Sequence, residues 1–132
     1  METSSKRILI VDDEARIVDI IGEFLTLGGY TVEKAYNGQQ GIDIINKKAV
    51  DLIVLDEKMP GMSGMEMLKK IKGMKLNIPV IVLTGSVNVA EIKQYKKKLY
   101  KHLLYKPIRI AELEKLIKKI LASKKSPAKK KT

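Results

Sequence analysis

Five polar residues each close an apolar run. Asp12 and Asp13 follow Ile8–Val11, Asp56 follows Leu52–Leu55, Thr84 follows Val80–Leu83, and Lys106 follows the weaker Leu103-Leu104-Tyr105. Aligned as parallel strands, these runs bring three carboxylates, one hydroxyl and one ammonium to a single edge. Crowded carboxylates raise one another's pKa unless a hard divalent cation and a fixed positive charge compensate them. Magnesium suits such a set, because it keeps open positions for water and phosphate oxygens. A carboxylate can then act as the nucleophile in phosphoryl transfer, which asks the protein for an in-line attacker and positive charge around the equatorial oxygens. Magnesium and Lys106 would supply that charge, and Thr84 a hydrogen bond.

The elements that must position these residues follow from periodicity. The runs at 8–11, 52–55 and 80–83 are continuous rather than alternating, as buried parallel strands are, with Thr31-Val32 and Leu103-Leu104-Tyr105 as shorter members. Helical spacing fills the gaps. Ile17, Ile21, Phe24 and Leu25 make one face of a first helix that Gly28-Gly29 stops, and Ile42, Ile45 and Ile44 line a second. After the turn Pro60–Gly64, a third carries Met65, Leu68 and Ile71 or Lys72 and ends near Gly73; a fourth carries Val89, Ile92, Tyr95 and Leu99. Leu113, Leu116, Ile117, Ile120 and Leu121 form the stripe of a fifth, with lysines opposite. Five strand-then-helix repeats predict an α/β fold: a doubly wound, five-stranded parallel sheet with helices on both faces, flavodoxin-like, whose ligand crevice lies at the carboxyl ends of the strands.

Composition narrows the function classes. The 132 residues include no cysteine, which excludes disulfides, thiolate metal sites and a cysteine nucleophile. One histidine, His102, makes a zinc site improbable and is read as structural. The Ile8–Val11 run is too short for a signal-peptide core or a membrane span, so a soluble, cytoplasmic protein without membrane association is expected. The net charge of +11 is uneven: residues 1–92 carry 11 basic and 13 acidic side chains, residues 93–132 carry 15 basic and 2 acidic. The domain is expected to span residues 1–122, with 123–132 a disordered basic tail.

Four motifs in register, Val11-Asp12-Asp13-Glu14, Asp56 to Gly64, Leu83-Thr84-Gly85 and Lys106-Pro107, make the chain resemble the receiver domains of two-component response regulators from about Arg7 to Leu121. The resemblance implies that Asp56 is the phosphoacceptor, that Asp13 binds Mg2+ directly and Asp12 mainly through water, and that the backbone carbonyl of Lys58 is a further ligand. It implies that Thr84 and Lys106 contact the acquired phosphoryl group and convert it into a backbone shift, and that the bond before Pro107 is cis, an isomer with a small penalty only before proline. The donor would be a histidine kinase or phosphotransfer protein. The chain length leaves no room for an output domain, so signalling would pass to a downstream protein, through the surface of the fourth helix, fifth strand and fifth helix.

The chain departs from the family in two places. Leu99 and Tyr100 stand where a Gly-Ala pair is usual, and Leu103 stands where an aromatic switch residue precedes the lysine by three. Lys58, two residues after Asp56, is a candidate modulator of phosphoryl lifetime, because its mobile ammonium could reach the acidic cluster. Its plainer reading is a solvent-facing lysine.

Plainer readings accompany each of these residues. Asp12 and Asp13 could cap the first helix, and Met59, Met62, Met65 and Met67 could be an adaptable docking surface or simply core and loop filler. Two other functions compete. An aspartate-nucleophile phosphatase would want an acid where Lys58 stands. A basic nucleic-acid-associated module would use the C-terminal lysines, but stacking aromatics and a reading helix are not evident, so specific nucleic-acid binding is not expected.

Overall fold

The computed structural model describes residues 5–85 and 102–130, the side chains from 123 onward excepted. Its strands are β1 (Arg7–Val11), β2 (Thr31–Ala35), β3 (Leu52–Asp56), β4 (Val80–Thr84) and β5 (His102–Tyr105). They form one sheet in the order β2-β1-β3-β4-β5, with every neighbouring pair parallel. The helices are α1 (Ala15–Leu27), α2 (Gly38–Lys47), α3 (Gly64–Gly73) and, at the C-terminus, α4 (Ile110–Lys130). The helix expected over Val89–Leu99 lies outside the described residues, as do Leu99 and Tyr100.

Alternation of side chains along each strand builds two cores. Leu9, Val11, Ile53, Leu55, Val80 and Val82 point to one face, where Ile45 of α2 and Met65, Met67, Leu68 and Ile71 of α3 cover them. Ile8, Ile10, Leu52, Val54, Ile81 and Leu83 point to the other, under Val18, Ile21 and Leu25 of α1 and Leu113, Ile117, Ile120 and Leu121 of α4. β1, β3 and β4 are therefore buried on both sides, which explains their unbroken apolar sequence. The fold is the doubly wound parallel sheet that the sequence predicts. Met59, Met65 and Met67 are buried and Met62 packs against the same cluster, so the methionines are filler.

One local expectation is corrected. The buried face of α1 is Val18, Ile21, Gly22 and Leu25, whereas Phe24 is 36% exposed. The apolar residues of this helix span a broad arc, and the sheet buries one side of it, leaving Phe24 toward the other. At the C-terminus the backbone of α4 is helical to Lys130.

Candidate phosphoryl-acceptor site

The carboxyl ends of β1, β3, β4 and β5 deliver the five residues. Asp12 follows β1 directly, its backbone N–H donating to the Ala35 carbonyl at 3.1 Å. Its Oδ1 accepts from the Glu14 N–H at 2.9 Å, which turns the chain into α1. Glu14 is the N-cap of that helix and makes no side-chain cap bond, so Asp12 serves the turn with one oxygen rather than acting as the cap. The other oxygen, Oδ2, is buried without a hydrogen-bond partner. Asp13 is the exposed member of the group.

Asp56 ends β3 and is 4% exposed. The loop behind it folds back on the strand: the Gly64 N–H donates to the Glu57 carbonyl at 2.9 Å, and Ser63 and Glu66 form a reciprocal capping box that starts α3. Thr84 ends β4, fully buried, and its carbonyl accepts from the Lys106 N–H at 2.8 Å. The Lys106–Pro107 peptide bond is cis.

Lys106 Nζ lies 2.7 Å from Asp56 Oδ1 and 3.9 Å from both Asp12 Oδ2 and Glu14 Oε1. Burial pushes the Asp56 carboxyl up to about 6, with Asp12 and Asp13 adding to the rise; the hydrogen bond and charge of Lys106 offset it only in part. Asp12 is also raised, again chiefly by burial, against the lowering effects of the Glu14 N–H and Lys106. Burial alone would lower the Lys106 ammonium, but its hydrogen bond to Asp56 and the surrounding carboxylates more than offset this, and the net shift is upward. The carboxylates thus carry more mutual repulsion and desolvation than one lysine relieves.

That imbalance is what a hard cation would correct. Asp12, Asp13 and Asp56 each offer an oxygen within 4.8 Å of the others, and one of the buried oxygens has no hydrogen-bond partner. An all-oxygen donor set of this charge fits Mg2+.

The structure therefore brings Asp12, Asp13, Asp56 and Lys106 together, with Thr84 on the adjoining strand. Lys58 is exposed and takes part in none of the ion pairs found among the described residues. Leu103 pairs with Val82 and packs against the core on the α2 and α3 side. His102 lies in β5 beside Ile81. Two neighbours escaped sequence reasoning: Glu14, near Lys106, and Glu57, whose Oε1 accepts from the Thr84 hydroxyl at 2.7 Å. Both stood within recognised motifs, without an assigned role. Glu57 could be found only from the register of β3 on β4.

Comparison with known proteins agrees with this geometry. A family model described as the response regulator receiver domain matches residues 8–118. Sporulation initiation phosphotransferase F of Bacillus subtilis is 38% identical over 120 residues, 91% of this chain and 97% of that protein. Response regulator MprA of Mycobacterium tuberculosis is 36% identical over 87 residues, 66% of this chain but 38% of that protein. Among solved structures, a CheY-like receiver domain protein from Methanospirillum hungatei superposes with a TM-score of 0.88 at 30% identity, covering 94% of this chain and 99% of the other.

Proposed function

Because the chain belongs to the response regulator receiver domain family, a family of phosphoacceptor switches, we propose that it takes a phosphoryl group from a phosphohistidine donor onto Asp56 and signals by binding another protein. The observation that carries this reading is the state of Asp56. Its carboxyl is buried, paired with Lys106 at 2.7 Å and held at about 6, so it is largely ionised at neutral pH and available to attack.

In the proposed step an Asp56 oxygen attacks phosphorus in line with the departing imidazole nitrogen. The O–P bond forms as the N–P bond breaks, and the leaving histidine takes up a proton. Lys106 stays beside Asp56 and balances the charge that arrives with the phosphoryl oxygens. Asp12, Asp13, Asp56 and the backbone carbonyl of Lys58 would hold Mg2+, which supplies further positive charge when bound. Thr84 donates a hydrogen bond to the acquired group, and the shift at the ends of β4 and β5 is the signal. Phosphotransfer onto the chain and hydrolysis of its own acyl phosphate are the only reactions the reading requires. Among the described residues no helix is long and apolar enough to cross a membrane.

The test is incubation with acetyl phosphate, with and without magnesium. Wild type should acquire one acyl phosphate per chain only with the metal, and Asp56→Asn none. Labelling that survives this substitution would mean that another residue is the acceptor.

A further inference from the structure

Each of the two groups expected to meet a phosphoryl group is held by a carboxylate. Lys106 is held by Asp56, and the hydroxyl of Thr84 donates to Glu57 Oε1 at 2.7 Å. The second contact is a consequence of register. Asp56 pairs with Leu83, so the next positions, Glu57 and Thr84, fall side by side on neighbouring parallel strands. The backbone of Glu57 is fixed on both sides: its N–H donates to the Leu83 carbonyl at 2.9 Å, and its carbonyl accepts from the Gly64 N–H at 2.9 Å. Thr84 is fully buried and its carbonyl is tied to the Lys106 N–H. Neither side of the contact can drift apart without disturbing a strand end.

A threonine hydroxyl has one proton to donate. It cannot serve the Glu57 carboxylate and a phosphoryl oxygen at once. We infer that Glu57 is a positioning residue that latches the Thr84 hydroxyl in the resting state, so that a phosphoryl group on Asp56 must displace a carboxylate to recruit Thr84. The inference rests on the phosphoacceptor reading above. Its consequence is quantitative: the latch weakens the chain's hold on a phosphoryl group by the cost of giving up one charge-assisted hydrogen bond. Glu57 thereby sets how far phosphorylation drives the strand-end shift, at a point one residue from the acceptor and outside the metal-binding carboxylates.

Beryllofluoride, a phosphoryl mimic, gives the test in the presence of magnesium on the full chain. Its affinity is measured for wild type, Glu57→Gln and Glu57→Ala, each with and without Thr84→Ala. Glu57→Ala should bind about ten- to a hundredfold more tightly than wild type, the range expected when a hydrogen bond to a charged group no longer competes. Glu57→Gln, which keeps an acceptor without the charge, should fall between them. Both gains should vanish in the Thr84→Ala background, a result that a general loosening of the fold would not produce. In the unphosphorylated chain, the Thr84 methyl resonance should move in both Glu57 variants. Unchanged affinity in the Glu57 variants overturns the latch, as does a gain of equal size without the Thr84 hydroxyl. Should Glu57→Ala fail to fold, Glu57→Gln carries the comparison. Failure of the underlying function has its own signature, because wild type would then take up neither beryllofluoride nor phosphate from acetyl phosphate, and the latch would fall with it.

Discussion

Lys106 Nζ lies 2.7 Å from Asp56 Oδ1, and yet the Asp56 carboxyl is pushed up to about 6 rather than down. Burial and two neighbouring carboxylates outweigh a direct ion pair. Removing the ammonium therefore exposes the full imbalance. Lys106→Met should raise the Asp56 pKa further, above about 6, and destabilise the metal-free chain at pH 7.5 by about 1–3 kcal/mol, less than a fully buried pair would lose because Lys106 is 28% exposed. Carbon-detected titration of the Asp56 carboxyl and urea unfolding measure the two effects. An unmoved Asp56 titration would show that Lys106 does not compensate the cluster.

The same shift makes stability depend on pH. The folded-state pKa of Asp56 is raised above the ordinary value of 3.8, so the native chain binds this proton more tightly than the unfolded chain. Its favourable contribution is full below about pH 4 and is lost as pH rises through about 6. Above that, the ionised group burdens the metal-free fold by about 2–3 kcal/mol, at 1.36 kcal/mol for each pKa unit. Asp56→Asn mimics the protonated carboxyl in shape and charge. In chelator it should match wild type near pH 4 and exceed it by roughly that amount at pH 7.5. Magnesium should shrink the gap by stabilising wild type alone. Parallel unfolding curves for the two proteins between pH 4 and 7.5 would contradict the assignment of the shift to Asp56.

Lys58 is a test of reach. Its side chain is exposed and makes no ion pair with the cluster among the described residues, while Lys106 takes that role. A screened, solvated charge changes a neighbouring equilibrium by about 0.5 kcal/mol or less. Lys58→Asn should accordingly leave magnesium affinity within about threefold of wild type. Dephosphorylation rates measured alongside separate two roles: a changed lifetime at constant metal affinity would mean that Lys58 acts on the phosphorylated state and not on the resting cluster.

What could be read in advance follows from what each element must bury. β1, β3 and β4 are sandwiched between two helical layers, so their apolar runs are unbroken and each is closed by a polar residue: Asp12, Asp56 and Thr84. The strand ends, and with them the candidate site, were legible for that reason. α1 was legible as a helix but not in phase, because Ile17, Val18, Ile20, Ile21, Phe24 and Leu25 spread over a broad arc and only contact with the sheet selects the side of Val18, Ile21 and Leu25. The division of labour within Asp12, one oxygen for the Glu14 N–H and one left without a hydrogen bond, depends on a turn of three residues and leaves no mark on composition. Glu57 was invisible because its partner is set by strand register, a relation between segments 27 residues apart.

Gly64 offers a last test, of how closely the loop after β3 is built around the acceptor. A Cβ at this position would meet the carbonyl oxygen of Asp56 and lie 3.0 Å from Glu57 Cα. Both obstacles are backbone, and the Gly64 N–H is already committed to the Glu57 carbonyl. Relief can come only from moving Asp56 and Glu57 or from withdrawing the start of α3. Gly64→Ala should therefore cost about 1–3 kcal/mol of stability, as overpacking does. It should also slow acetyl phosphate labelling by at least about tenfold, because a displacement approaching 1 Å at a reacting group costs on the order of a hundredfold. At Gly73, at the far end of the same helix, an added Cβ would meet nothing within 4 Å, and the backbone is not left-handed. Gly73→Ala should stabilise the chain by about 0.5–1 kcal/mol through helix propensity alone and leave labelling unchanged. Equal labelling rates in the two variants would show that the crowding at Gly64 supports the loop without positioning Asp56.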